Sequence, residues 1–141
     1  MGVAPPAYKM RMEDLRRHHA QMLAALDQLE QLTQSPACDE KAVTAVRYRL
    51  TRASSARRRE VVALCERLIA SGAKDPGLPA LRDATLASRA ASSRHIGTWT
   101  LQEVVADWAK YARASATMRA SLRREIAREQ QILGQHFQEA M

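Results

Sequence analysis

The sequence predicts an all-α protein, and three observations carry that reading. Apolar residues recur at spacings of three and four along four separate stretches, the period of one helix face. The 46% of hydrophobic residues is rich in Ala and Leu, with a single Phe, and the helix formers Arg, Glu and Gln are abundant. Gly and Pro, five of each, gather mainly between the periodic stretches, where they interrupt no helix. At 141 residues the chain has the length of one domain and can bury a core without metal or disulfide staples.

The first period starts at Met12 and runs through Leu15, His19, Met22, Leu23, Leu26, Leu29 and Leu32, which predicts a helix over 11–34 after a tail of residues 1–10. "SPACDE" ends it: Pro36 disfavours a helical Ser35 and suits the first turn of the next helix, with Cys38 capping or preceding that helix. Val43, Val46, Leu50, Ala53, Val61, Leu64, Leu68 and Ile69 predict a helix over 38–70, stopped by Ser71 and Gly72. After the loop "SGAKDPGLP", a third helix over 79–96 carries Leu81 and Leu86 among many Ala and Ser and stops near Gly97. Thr100 and Glu103 in "TLQE" form a capping-box start for a fourth helix, which runs through Val104, Val105, Trp108, Tyr111, Met118, Leu122, Ile126, Leu133 and Phe137. That helix would be about 60 Å long, far longer than its neighbours, so a bend is expected around 111–117. Short to moderate connections favour antiparallel neighbours, and the expected architecture is an up-down-up-down four-helix bundle filling 11–141. Leu15, Leu26, Leu50, Leu64, Leu122, Ile126 and Leu133 are expected in one core.

Composition narrows the function. No segment approaches 18 consecutive apolar residues, and "MGVAPPAYKMRMEDL" lacks the apolar stretch of a signal peptide, so a cytoplasmic protein without membrane insertion is expected. Cys38 and Cys65 form no CxxC pair and read as free thiols, with Cys65 a small core residue. The net charge of +7 and the run "RLTRASSARRRE" raise a polyanion partner. The other Arg residues are spread among acids and no aromatic-interleaved or helix-turn-helix pattern accompanies them, which disfavours nucleic acid. A protein partner or a second copy of the chain is left as the alternative. Neither a Ser-His-Asp order nor a glycine-rich phosphate loop nor an activated Cys motif occurs, so a non-enzymatic protein is expected.

"LRREIAREQQIL" holds the sharpest local conflict. Stepping back from Leu133 by threes and fours gives Glu129, Ile126 and Leu122, so Glu129 falls on the line that faces a core and Glu125 at its edge. Buried carboxylates need a partner.

With these residues in hand, the pattern resembles the hemerythrin-like family of cation-binding four-helix bundles. "LRRHHAQMLAALDQL" from Leu15 to Leu29 is similar to the family's first helix, with His19 in the histidine position. "EIAREQQIL" is similar to the last helix, with Glu125 replacing a histidine and Glu129 keeping the acid. In the second helix, Ala56 and Glu60 stand where the family has His and Glu, and "WTLQEVVADWAKY" looks like its Trp-containing approach to the final helix. The resemblance implies a di-metal pocket, yet the complete site needs more histidines than His18, His19, His95 and His136 provide. What it leaves is a reduced set, His19, Glu60, Glu125 and Glu129, suited to iron, zinc or manganese. The alternative is a metal-free module, with no cofactor, in which ion pairs involving Arg57 close the cavity. His18 is expected at the solvent or bundle edge, His95 near a helix end and His136 at a core boundary, while Trp99, Trp108 and Tyr111 are packing residues at the entry to the fourth helix.

Overall fold

The computed structural model describes the backbone of residues 6–140 and the side chains of residues 9–137. The first half of the expected tail, residues 1–5, lies outside the described residues. Among the described residues there are five helices: α1 (Pro6–Gln34), α2 (Glu40–Ala70), α3 (Gly77–Thr98), α4 (Leu101–Ala106) and α5 (Trp108–Ala140). Strands are absent among the described residues.

Local chemistry explains the boundaries. Asp39 is the N-cap of α2, its Oδ1 accepting from the Ala42 amide at 3.1 Å. Pro36 therefore lies in the connection before the helix, not in its first turn, and Cys38 precedes the cap. The C-terminus of α2 closes through two reversed bonds, Gly72 N to the Ile69 carbonyl and Ala73 N to the Leu68 carbonyl. This closure needs a left-handed residue, and Gly72 supplies it at φ 97°.

The expected fourth helix is two helices. Thr100 caps α4 by accepting from the Glu103 amide at 3.3 Å. The break comes at Asp107, four residues before the interval expected for a bend. Asp107 leaves helical geometry at φ −139° and ψ 66°. Its carboxylate then accepts from the Lys110 amide at 3.3 Å and restarts the helix. Trp108 fixes the junction by donating its indole N–H to the Ser35 carbonyl, 2.9 Å away in the α1–α2 connection.

The helices pack α1 on α2, α2 on α3 and α1 on α5. The residues expected in one core are all buried, but they divide between two apolar clusters. One holds Met12, Leu15, Val61, Leu64, Cys65, Leu78, Leu81, Leu133 and Phe137. The other holds Met22, Leu26, Leu29, Val43, Val46, Leu50, Trp99, Val104, Tyr111, Leu122 and Ile126 with smaller neighbours. Side chains interrupting the apolar period at one level of α1, α2 and α5 separate them. Three aromatic rings gather in the second cluster, with Tyr111 edge-on to Trp99 at 5.3 Å and stacked on Trp108 at 5.9 Å.

Candidate functional site

The interrupting side chains form a buried polar belt. In α1, His19 lies one turn after Leu15 and just before Met22; in α2, Arg57 lies between Ala53 and Val61; in α5, Glu129 lies between Ile126 and Leu133. Each occupies an inner position at helical spacing, so burial is imposed by its neighbours. Arg57 is 0% exposed, and Glu129 and His19 are 2% exposed each.

Geometry satisfies much of their polarity. Arg57 Nη1 donates to Glu129 Oε2 at 2.8 Å and to Glu125 Oε1 at 3.3 Å. His19 Nε2 lies 2.8 Å from Glu129 Oε1, so both Glu129 oxygens are engaged. Ser88 of α3 donates to Glu125 Oε1 at 2.8 Å. Arg57 Nε and Nη2 and His19 Nδ1 have no hydrogen-bond partner among the described residues. A cation already stands between the two acids, and taking either charge away from such a pair exposes the other to the low-dielectric interior.

The four candidate ligands do not assemble as a set. His19, Glu125 and Glu129 meet around Arg57, whereas Glu60 faces outward enough to take Arg11 at 3.2 Å. Among the described residues, no three His, Cys, Asp or Glu side chains group closely enough to hold a metal ion. The residues present do not fit the di-metal group that the resemblance implies, because the guanidinium occupies the space between the carboxylates.

Sequence reasoning missed Ser88, although it follows Leu81 by seven and Thr85 by three and so continues the inner line of α3. It also grouped arginines that the fold separates. Arg57 enters the core. Arg58 donates to Ser54 at 2.9 Å, while Arg49, Arg52 and Arg59 line a groove between α1 and α2 with Tyr48 and His18. His136 pairs with Asp75 at 2.8 Å, and Asp75 also accepts from the Gly77 amide, so its carboxyl is held below the usual range by the His136 hydrogen bond first. Cys65 is enclosed in the first cluster, and burial pushes its thiol up to about 11, which leaves little thiolate for nucleophilic work.

A cleft of ≈ 310 Å³ opens beside the belt between α2, α3 and α5, with Glu125 and Ser88 at one end and Arg47, His95 and Tyr111 at the other. His95 has its pKa lowered by burial and then by Arg47, and Tyr111 has its pKa raised by burial. Among the described residues, no helix is long and apolar enough to cross a membrane. No protein-family model, no curated protein and no solved structure matches the chain.

Proposed function

We propose that the protein is a non-enzymatic regulatory or interaction module built on a hemerythrin-like, up-down-up-down four-helix bundle, acting in the cytoplasm on a protein partner or a second copy of itself. The alternation of the two clusters supports the topology. α1 passes from the Leu15 cluster to the Leu26 cluster, α2 returns, α3 starts from the first again, and α5 ends there at Leu133 and Phe137. The short α4 is an entry turn to the fourth long helix.

One observation carries the functional reading: a fully buried Arg57 bridges Glu125 and Glu129, where a bound cation would otherwise neutralise them. A side-chain cation makes the charge balance independent of metal supply, and the remaining surface is left for binding. The test is elemental analysis of protein purified without chelators or an affinity metal column, together with melting in added zinc, iron or manganese. The expected result is metal far below one equivalent and an unchanged melting temperature, since a ligand of the native state raises it. Stoichiometric metal, or a clear rise with one of these ions, overturns the reading.

A further inference from the structure

The cleft beside the belt is chemically asymmetric. Its walls are largely apolar, with Leu50, Met118 and Leu122 along them, and its ≈ 310 Å³ lies at the small end of organic-ligand sites. Such sites pair an apolar lining with a few convergent polar groups. Here those groups stand at one end. The Arg47 guanidinium lies over the Tyr111 ring, 5.6 Å from its centroid, and donates to the Trp99 carbonyl. Among the described residues no carboxylate comes within salt-bridge distance of it. His95 Nε2 and the Tyr111 hydroxyl lie just beneath the wall, neither with a partner in hydrogen-bonding geometry, although Ser115 is next to the phenol. The far end is marked by Glu125, whose Oε1 is held by Arg57 and Ser88. Arg47 and Arg57 are separated by roughly 15 Å along α2 at 1.5 Å per residue.

We propose that this cleft binds a small amphipathic carboxylic acid, with its head group at Arg47, His95 and Tyr111 and its apolar body along Leu50, Met118 and Leu122. An uncompensated guanidinium attracts an anion and matches a carboxylate's two oxygens. His95, held neutral at pH 7 by burial and by Arg47, adds a hydrogen bond without a second positive charge. Arg47 is the one Arg or Lys among the residues lining the cleft, which favours a carboxylate over a phosphate dianion. Glu125 repels the head group from the opposite end and fixes the direction of entry. An amine would be repelled by Arg47, and the Glu125 charge at the other end is already paired with the Arg57 guanidinium. A head group at Arg47 gives the sealed His95 Nε2 a partner that bulk water does not provide.

The test is titration calorimetry with decanoate, decanol and decylammonium, each below its micelle concentration. Decanoate should bind once per chain and at least about tenfold more tightly than either analogue, a difference of about 1.4 kcal/mol. Arg47→Gln should weaken decanoate about tenfold or more, and Ala91→Trp, at an exposed wall position, should abolish binding. Arg49→Gln, outside the cleft, should leave it unchanged. Absence of saturable decanoate binding, equal affinity for decanol, tighter decylammonium, or indifference to Arg47→Gln each overturns the proposal. Should Arg47→Gln fail to fold, the three-ligand comparison on the wild type and the Ala91→Trp variant decide it.

Discussion

The two ends of the bundle draw on the same long helices, and only one end is closed. At the Leu15 end every long helix contributes bulk, with α3 supplying Leu78 and Leu81. At the Leu26 end α3 supplies no buried side chain beyond Thr85. Its second half, "LASRAASSRHIGT", offers small residues inward, while its larger apolar ones, Leu86 and Ile96, are 54% and 42% exposed. Space that Leu would fill becomes the cleft. Helical period sets which face turns inward, but side-chain volume at each level decides whether the space between helices is core or cavity.

The largest effect should come from the belt that divides the ends. Glu129→Gln keeps the shape but removes the charge, leaving Glu125 as the carboxylate partner of Arg57, and should cost about 3–5 kcal/mol in chemical denaturation. Glu125→Gln should cost about 1 kcal/mol or less, because its side chain is 31% exposed and water can reach it. Equal costs would mean that the two ends meet through a hydrated junction.

Next in size is a matched pair in α3. Leu81→Ala at the closed end should destabilise by about 2–5 kcal/mol, and Ile96→Ala at the open end by no more than about 0.5 kcal/mol. Similar losses would show that α3 packs along its whole length and that the cleft is closed in solution.

The smallest effect is a pH dependence confined to the open end. His95 has a folded pKa below its ordinary value of 6.5, from burial first and Arg47 second. Between the two values the unfolded chain binds a proton that the folded chain refuses, so stability rises with pH there. The contribution is complete above about 6.5 and is lost as pH falls toward the folded pKa. His95→Gln should flatten the melting temperature over that window, and an unchanged slope would assign the dependence to other groups.

Much of this was legible in the sequence, and the omissions have physical causes. Glu129 was identifiable as an inward acid because its apolar neighbours at three and four residues leave it nowhere else to point. The ends of α1 and α2 followed from Pro36 and Gly72 and their surroundings. The break at Asp107 was hidden because no Gly or Pro marks it; it depends on a carboxylate capping Lys110 and on Trp108 reaching Ser35 across the fold. One core was expected instead of two because periodicity gives a residue's angle around its helix, not which residues of other helices share its level. Whether His19, Arg57 and Glu129 coincide depends on helix offsets that no single helix encodes.

The placement of the aromatic rings makes the two ends spectroscopically unequal. Both tryptophans of the chain, Trp99 and Trp108, sit around Tyr111 at the open end, and the closed end is built from aliphatic side chains and Phe137. Indole emission therefore senses one half of the molecule, while far-ultraviolet circular dichroism senses the helices throughout. If the belt couples the halves, the two signals will melt together; if it acts as a seam, emission will change before ellipticity, and the lag will measure how independently the open half unravels.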